Sequence, residues 1–315
     1  MAFYLVTGGA GFIGSNLSHA LVSRGERVRI VDNFATGRRQ NIVRLVASGK
    51  VELLEGDLTA AGVAERACQG VDYVLHQAAI PSVPRSVDDP VTSDLANVHG
   101  TVLLLDAARR QSVKRVVFAA SSSAYGERDP SEAKVETMAP SPLSPYAASK
   151  LACEYYLKAF YASYGLQTVG LRYFNVFGPR QDPKSQYAAA IPNFVTAALT
   201  GRPATVYGDG GQTRDFCFID NVIEANLLAC TAKDAPGEII NIACGASISL
   251  VEVIRLIGEI VGNRIPPNHD PPRRGDIRHS LADIGKATRI LGYTGAISFE
   301  EGLRRTIAWY KESLD

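Results

Sequence analysis

The chain has 315 residues and a mass of 33.8 kDa, roughly the length of two domains of about 150 residues each. Apolar residues account for 46% of it and charged residues for 21%, a composition that excludes disordered, collagen-like and coiled-coil proteins. The 33 basic and 32 acidic residues leave a formal charge of +1, so the sequence offers no electrostatic footprint for nucleic acid or for an anionic membrane surface.

Short apolar strands alternate with helices throughout the first half of the chain. The predicted strands are Phe3–Val6, Val28–Val31, Val51–Leu54, Tyr73–Leu75, Val116–Ala119 and Thr168–Leu171. Most are apolar throughout, as expected for strands that are covered on both faces. The longest helices predicted between them are Val91–Arg110 and Ala147–Tyr164. This alternation predicts an α/β fold built on a doubly wound, parallel Rossmann sheet with right-handed crossovers.

The second half is less regular and predicts a smaller, mixed α/β domain. The predicted helices are Ala188–Leu199, Asn221–Cys230, Leu250–Val261 and Glu301–Tyr310, and the predicted strands are Thr205–Tyr207 and Ile239–Ile242. The segment Pro266–Asp276 is rich in Pro and Arg and is predicted to be a loop. We expect residues 1–173 to form the first domain and residues 174–315 the second, with part of 214–232 returning to the first.

The sequence predicts a cytoplasmic protein without a metal site or a disulfide framework. No apolar run approaches the 18 or so residues that a spanning helix needs. No basic region precedes an apolar stretch before the glycine cluster that begins at Gly8. The five cysteines are widely spaced and contain no C-x-x-C pair, and the five histidines never fall at the spacing of metal ligands.

A glycine-rich turn follows the first strand and opens a helix. Gly8 permits a tight turn, Gly11 lets the backbone approach a pyrophosphate, and Gly14 lets the helix pack closely on the sheet. The helix N-terminus then offers free N–H groups to phosphates. Asp32 ends the second strand, where its carboxylate can bind the ribose hydroxyls of NAD and repel the 2′-phosphate of NADP. The neighbouring Arg38-Arg39 pair can attract that 2′-phosphate, so NADP stays an alternative cofactor. An ordinary glycine-rich turn that binds no cofactor is the alternative interpretation of the glycines.

A tyrosine and a lysine stand four residues apart at the start of a helix, so Tyr146 and Lys150 project from one face. Bringing a phenol from a pKa near 10 to about 7 requires roughly 4 kcal/mol, which a lysine ammonium and a nicotinamide cation can supply together. Tyr146 would then take the proton from a sugar or alcohol hydroxyl while hydride leaves its carbon. One hydroxyl of Ser121-Ser122-Ser123, at the carboxyl end of the fifth strand, can bridge the substrate and Tyr146. A serine-rich loop is the alternative.

These residues together resemble the extended short-chain dehydrogenase/reductase superfamily, and within it the UDP-hexose and UDP-N-acetylglucosamine 4-epimerases. The resemblance runs from Thr7 to about Tyr293, nearly the whole chain. Besides the glycine turn and the Tyr146–Lys150 motif, the segments that carry it are His76–Ala79, Asn97–Thr101, Tyr125–Gly126, Leu171–Val176, Gly208–Gly210, Arg214–Phe216, Arg273–Asp276 and Ala282–Asp283.

The resemblance implies three sets of site residues. The catalytic set is Ser121, Tyr146 and Lys150, with Ser121 preferred over the two serines that follow it. The NAD-binding set is Gly8, Gly11, Phe12, Ile13, Gly14, Asp32, Asn33, Asp57, Leu58, Gln77, Ala78, Ala79, Asn97, Tyr146, Lys150 and Tyr173. The set for the nucleotide sugar is Ser82, Val83, Ser121, Ser122, Ser123, Tyr146, Asn175, Tyr207, Arg214, Arg273, Asp276 and Ser280, with the two arginines on the pyrophosphate.

The resemblance also narrows the reaction. Related 4,6-dehydratases carry Asp-Glu directly after the catalytic hydroxyl, whereas this chain has Ser122 and Ser123. Without those carboxylates we expect reversible oxidation at C4 and return of the hydride to the opposite face, which is 4-epimerisation of a UDP-hexose with bound NAD. A UDP-uronic acid 4-epimerase using Arg85 or Arg180, a nucleotide-sugar dehydratase, and a NAD-binding regulator without catalysis are the alternatives.

Two finer expectations concern substrate size and assembly. In the family a Tyr at the position of Ser280 goes with plain hexoses and a small residue with N-acetylated ones, so we expect UDP-GlcNAc and UDP-GalNAc as substrates, together with UDP-Glc and UDP-Gal. The resemblance implies a homodimer formed through paired helices. We expect that interface to use Leu103, Leu104, Leu157 and Phe160, unless these side chains simply pack on their own sheet.

Overall fold

The computed structural model describes residues 1–129, 132–183, 190–263, 266–271 and 277–314. Its strands are β1 Phe3–Thr7, β2 Arg27–Asp32, β3 Val51–Glu55, β4 Tyr73–His76, β5 Arg115–Ser121, β6 Thr168–Tyr173, β7 Val176–Phe177, β8 Ala204–Tyr207, β9 Thr213–Arg214, β10 Cys217–Phe218, β11 Ile239–Ile242, β12 Ile248–Ser249 and β13 Pro267–Asp270. Its α-helices are α1 Phe12–Ser23, α2 Val43–Ala47, α3 Val63–Cys68, α4 Val83–Asp88, α5 Pro90–Asp94, α6 Gly100–Arg110, α7 Pro145–Tyr164, α8 Ala190–Thr200, α9 Ile219–Thr231, α10 Leu250–Val261, α11 Gly285–Leu291 and α12 Phe299–Leu314.

A seven-stranded parallel sheet forms the centre of the molecule, in the order β11-β6-β5-β4-β1-β2-β3. Every residue of β1 and of β6 is buried, because helices cover both faces of the sheet. The order reverses between β1 and β4, and ligands of such sheets bind at the carboxyl ends of the strands beside that point. The predicted Rossmann fold and its six strands are confirmed.

The second half of the chain contributes to the same sheet. Strand β11 pairs with β6, placing Ile240 opposite Leu171. Helix α9 lies against β5, where the Arg115 guanidinium donates to the carbonyl of Ala229 at 2.7 Å. The remaining short strands form three two-stranded sheets, β7 with β10, β8 with β13, and β9 with β12. The division of the chain after residue 173 stays a prediction.

The loop predicted for Pro266–Asp276 is wrong over its first part. Residues Pro267–Asp270 form β13, which pairs in parallel with β8, and the Gly208 amide extends the pairing by donating to the Asp270 carbonyl at 2.8 Å. The sequence Pro-Asn-His-Asp carries no apolar alternation because this edge strand is largely exposed. Residues 272–276 lie outside the described part of the chain.

Apolar side chains fill both faces of the sheet, and they include side chains that were expected at the dimer interface. Leu104, Leu157 and Phe160 are buried in the chain's own core, and Leu103 packs against it. The expectation that these side chains form an interface is wrong for Leu104, Leu157 and Phe160, because the sheet and neighbouring helices already cover them, whereas Leu103 is only partly buried. The large apolar side chains exposed on α4, α5, α7 and the turn after α5 are Val87, Val91, Leu95, Tyr155, Tyr156, Tyr161 and Tyr164.

The five cysteine thiols are all free, and four of them are buried. Across the part of the chain that the structure describes, none of the helices has the length and apolar character needed to cross a bilayer. The cytoplasmic location stays a prediction.

Candidate active site

The glycine turn is shaped so that side chains would not fit. Gly8 has φ +63° and follows β1 directly, and a Cβ on it would lie 2.8 Å from the Ala78 backbone. A Cβ on Gly14 would lie 2.2 Å from the Gly8 carbonyl oxygen. Helix α1 begins at Phe12, with Ile13 next, so its unpaired N–H groups point at the space above the turn. Only glycines allow this close approach.

Acidic and amide side chains cluster at the carboxyl ends of β2 and β3. Asp32 is 7% exposed, and its two carboxylate oxygens accept from the amides of Ala10 and Phe34, each at 2.8 Å. Burial raises the pKa of Asp32 despite these bonds. Asn33 donates to the Asp57 carboxylate at 2.7 Å. Burial alone would raise the pKa of Asp57, but hydrogen bonds from Thr59 and Asn33 outweigh it and lower that pKa.

Arg38 and Arg39, the two arginines that made NADP an alternative cofactor, have carboxylate partners. Arg38 pairs with Asp182 at 2.9 Å, and Arg39 pairs with Glu55 at 2.6 Å. Both guanidinium groups are thus paired with carboxylates, and the role of Asp32 on the ribose stays a prediction.

The end of β4 closes the other side of the turn. The amides of Gln77 and Ala78 both donate to the Thr7 hydroxyl at 3.1 Å, and Ala79 continues the same segment. The Gln77 amide group lies 3.3 Å from the Tyr173 hydroxyl, which in turn accepts from Asn226 of α9 at 2.8 Å. Thr7 and Asn226 were not among the predicted site residues, because their roles depend on contacts far apart in sequence.

The structure brings the three candidate catalytic residues together. Ser121 ends β5, Tyr146 is the second residue of α7, and Lys150 follows one turn later. The Ser121 hydroxyl is hydrogen-bonded to the Tyr146 phenol, and the Lys150 ammonium donates to the Ala119 carbonyl at 2.8 Å. Ser86 accepts from the Tyr146 amide at 3.0 Å and thus ties the start of α7 to α4.

The electrostatics of this group show what the protein alone contributes to the expected phenolate. Burial raises the pKa of Tyr146, and the Ser121 hydrogen bond only partly offsets that effect. Burial also lowers the pKa of Lys150 to about 8. Without the cofactor, desolvation penalises the Tyr146 anion more than Ser121 stabilises it. The phenolate expected from the lysine and the nicotinamide cation together therefore stays a prediction.

A chain of buried polar side chains connects the glycine turn to α7. His76 lies 2.6 Å from the Thr7 hydroxyl and 2.9 Å from the Thr101 hydroxyl, and Thr101 donates to the Asn97 carbonyl. The Asn97 amide donates to Ser149 at 3.1 Å, and Ser149 donates to the Tyr146 carbonyl at 2.8 Å. Burial lowers the pKa of His76 to about 3, so the ring is neutral and bridges two hydroxyls.

This chain of contacts also changes one predicted helix. The run predicted as a single helix over Val91–Arg110 is helical, but residues Leu95–His99 form a π-helical turn between α5 and α6. That turn places Asn97 where its side-chain oxygen accepts from the Ile80 amide at 2.8 Å. Single π turns inside α-helices are frequent at functional sites.

Serine side chains cap two turns that border Tyr146. Ser121 accepts from the amide of Ser123 at 3.2 Å and from its hydroxyl at 2.8 Å, and Ser122 opens the short 3₁₀ turn that follows. Ser82 caps α4, which begins at Val83, by accepting from the Arg85 amide at 3.2 Å.

The substrate candidates of the second half meet around Asp215. The Asn175 side chain donates to the Asp215 carbonyl at 3.0 Å. Arg214 donates to the Arg278 carbonyl at 3.0 Å, and the Ser280 amide donates to the Thr213 carbonyl at 3.1 Å.

Tyr207 is the fourth substrate candidate of the second half that the structure describes. Tyr207 ends β8, and its carbonyl accepts from Gln212 at 2.7 Å, which links it to β9. The predicted residues Arg273 and Asp276 lie outside the described part of the chain.

Asp215 lies in the Arg214–Phe216 motif, but the sequence did not predict the contacts of its side chain. Its carboxylate is fully buried and accepts from the amides of Cys244 at 2.9 Å, Gly245 at 3.0 Å and Ala282 at 3.3 Å. Burial raises its pKa to about 6 against the effect of these bonds. One carboxylate thus holds together the loop after β11 and the segment that carries Ser280.

The comparison with protein families agrees with this geometry. The NAD dependent epimerase/dehydratase family matches residues 4–243. The chain belongs to this family. NAD is its cofactor, and the glycine cradle with the buried Asp32 at its edge fits the pyrophosphate and ribose of that group.

Solved structures of three similar epimerases cover almost the whole chain. A UDP-glucose 4-epimerase from Thermotoga maritima with UDP-glucose is 36% identical, with a TM-score of 0.94 over 99% of this chain and 100% of that one. A UDP-N-acetylglucosamine 4-epimerase from Methanobrevibacter ruminantium M1 with UDP-N-acetylmuramic acid is 38% identical, with a TM-score of 0.92 over 99% of both chains. A UDP-glucuronic acid 4-epimerase from Bacillus cereus with UDP-glucuronic acid and NAD is 33% identical, with a TM-score of 0.91 over 99% of both.

Proposed function

We propose that this epimerase/dehydratase inverts C4 of UDP-GlcNAc and UDP-GalNAc, and also of UDP-Glc and UDP-Gal. The observation that carries the proposal is the grouping of Ser121, Tyr146 and Lys150 at the carboxyl end of β5, in a turn whose next two residues are Ser122 and Ser123. This turn offers hydroxyls for proton transfer at C4 but no carboxylate that could expel water, as a dehydratase requires. Epimerisation is the reaction that these groups support.

Each catalytic side chain has a defined task in this proposal. The Tyr146 oxygen takes the proton of the C4 hydroxyl and later returns it, and Ser121, hydrogen-bonded to that oxygen, orients the hydroxyl. NAD, when bound, supplies the reversible hydride acceptor. The bond from Lys150 to the Ala119 carbonyl fixes its ammonium at the carboxyl end of β5, and in this proposal its positive charge favours the phenolate in the dry site.

The second half of the chain holds the nucleotide. Arg214 and Arg273 bind the diphosphate in this proposal, since a guanidinium matches a phosphate in two hydrogen bonds. Anchoring the substrate at the diphosphate leaves the oxidised sugar free to turn over and present its other face. The low exposure of Ser280, 6%, agrees with a position in the wall of the sugar pocket.

The uronic acid alternative receives less support from the structure. Arg180, one of the two arginines suggested for a sugar carboxylate, donates to the Asn16 side chain of α1. It therefore contacts the helix that follows the glycine turn rather than the serine turn after β5. Arg85 is exposed on α4.

Conversion of a sugar panel tests the proposal. Purified protein is incubated separately with UDP-GlcNAc, UDP-Glc and UDP-GlcA, and products are resolved by chromatography while NADH absorbance is followed. We expect C4 epimers of the first two sugars and transient NADH absorbance. A dehydrated product would identify a dehydratase, epimerisation of UDP-GlcA alone would identify the uronic acid enzyme, and no change with any sugar would favour a regulator.

We further propose a homodimer, formed by α4, α5 and α7 rather than by the four side chains first considered. Val91 is 67% exposed and Tyr155 60% exposed, and apolar side chains on adjacent helices suit an isologous interface. Light scattering should give twice the chain mass, and Val91→Glu should reduce it. A monomeric mass for the wild-type protein at micromolar concentration would contradict the proposal.

A further inference from the structure

Lys134 is a buried lysine between the two segments that border the proposed sugar pocket. Its side chain is almost fully buried, with 2% exposure. Its backbone amide donates to the Leu281 carbonyl at 2.9 Å, and its carbonyl accepts from the Asp283 amide at 3.0 Å. It is therefore fixed beside the segment that carries Ser280. Its ammonium donates a hydrogen bond to the carbonyl of Gly126, in the turn after β5.

Among the residues that the structure describes, this ammonium has few hydrogen-bond partners. It has three N–H donors, but its bond to the Gly126 carbonyl is long, at 3.5 Å, and no carboxylate of the described residues forms an ion pair with it. Lys134 forms an isolated β-bridge with Ala282, and Ala282 belongs to a buried apolar cluster with Tyr125, against which Met138 packs. A buried cation without a counter-ion is strongly unfavourable.

The charges that act on Lys134 add to this imbalance. Glu127 favours its protonated form, whereas Arg214 and Arg128 oppose it. Burial, the largest effect, lowers the pKa of Lys134 to about 8, so the group still carries a proton at neutral pH. Lys134 is buried and Arg214 partly buried, and the two positive charges are close enough to repel each other, so a bound anion would stabilise both.

We propose that Lys134 is a substrate-binding residue whose ammonium contacts an anionic group of the bound nucleotide sugar, beside Arg214. This inference rests on the proposed function, which supplies the nucleotide sugar. The anion is the diphosphate that every UDP-sugar carries or, in a uronic acid, the carboxylate of the sugar. Packing alone gives no reason for a lysine here, because a methionine of similar length would fill the same apolar space without a charge.

Binding measurements on charge variants test the inference. Isothermal titration gives the Kd of UDP, UDP-glucose and UDP-glucuronate for the wild type, Lys134→Met, Lys134→Arg and the control Lys158→Met, which removes a charge from an exposed position of α7. Lys134→Met should weaken binding by about tenfold or more, the effect of losing a hydrogen bond to a charged group. Lys134→Arg should restore part of the loss, and Lys158→Met should bind as the wild type does.

The three ligands separate the two possible anions. An equal loss for all three identifies the diphosphate, and a loss confined to UDP-glucuronate identifies the sugar carboxylate. Wild-type affinity should also fall as the pH rises through about 8, because the ammonium loses its proton there, and this fall should be absent from Lys134→Met. A change in folding alone would not move that pH dependence.

Failure of this inference is distinct from failure of the proposed function. If the wild type converts UDP-sugars and Lys134→Met binds all three ligands as tightly as the wild type does, Lys134 is not a binding residue. If the wild type converts no UDP-sugar, the proposed function itself is wrong. Should Lys134→Met fail to fold, Lys134→Gln, which keeps a polar tip without the charge, takes its place and gives the same two readings.

Discussion

Replacing Tyr146 by phenylalanine removes a single oxygen atom from the candidate site. The ring, its half-buried position in α7 and the backbone bond from its amide to Ser86 are unaffected. What is lost is the hydroxyl that contacts Ser121 and, in the proposed mechanism, moves the C4 proton. Positioned acid–base groups contribute roughly 10²–10⁴-fold to a rate, so kcat should fall by that factor, equivalent to a barrier increase of about 3–5 kcal/mol.

The assay follows C4 epimerisation of UDP-glucose together with two measurements of integrity. Tightly bound NAD is quantified after denaturation, and thermal melting is followed by circular dichroism, and both should match the wild type. Tyr164→Phe is the matched control, because Tyr164 is the last residue of the same helix and is exposed to solvent, and it should retain full activity. Retention of more than about a tenth of the wild-type kcat by Tyr146→Phe would show that Tyr146 is not the acid–base group.

Three other substitutions test separate parts of the structure. Asp32→Ala should weaken NAD binding by about tenfold or more, the effect of losing hydrogen bonds to a charged group, and unchanged affinity in a titration would contradict its role. Glu154→Gln should lower the free energy of unfolding in urea by about 3–5 kcal/mol, because Arg172, paired with Glu154 at 2.7 Å, stays charged in the core; Glu154→Leu combined with Arg172→Met should recover most of it. Burial raises the pKa of Asp215 from 3.8 to about 6. Its contribution to the free energy of unfolding is therefore present below about pH 4 and is lost as the pH rises to about 6, a change of about 3 kcal/mol. Asp215→Asn should lack this dependence of the unfolding free energy on pH, and the same dependence in both proteins would refute the assignment.

The sequence was informative where burial imposes one pattern on neighbouring residues. Strands β1, β4, β5 and β6 are almost wholly buried, and they were predicted because cover on both faces demands continuous apolar runs. Strand β13 was missed because it pairs at an exposed edge, where backbone hydrogen bonds suffice and polar side chains are tolerated. The π-helical turn at Asn97 was missed because one extra residue in a helix leaves no mark on a short apolar pattern.

The candidate site shows the same division between local and long-range information. The spacing of Tyr146 and Lys150 and the glycine turn are local, so the sequence placed them correctly relative to their own elements. The contacts of His76, Asp215 and Lys134 join segments that lie far apart in the chain, and no local pattern reveals them. Leu104 and its neighbours were wrongly expected at a dimer interface because no local pattern shows that the chain's own sheet buries them.

Ser280 allows the substrate proposal to be tested by changing the volume of the sugar pocket. The side chain is 6% exposed, and the backbone bond from its amide to the Thr213 carbonyl at 3.1 Å fixes its place beside Arg214. In Ser280→Tyr a phenol ring would occupy the space that a 2-acetamido group must enter. Turnover of UDP-GlcNAc and UDP-GalNAc should therefore be lost, and turnover of UDP-Glc and UDP-Gal should be retained.

Ser280→Ala serves as the control for Ser280→Tyr, because it removes the hydroxyl without filling the pocket. It should retain turnover of both pairs of substrates. If the Ser280 hydroxyl forms a hydrogen bond with the acetamido group, the KM for the N-acetylated pair should rise. Overpacking a buried position costs about 1–3 kcal/mol, so thermal melting of Ser280→Tyr must accompany the kinetics. A folded variant that loses both pairs equally would show that Ser280 does not select the sugar, and one that keeps both pairs would show that the acetamido group lies elsewhere.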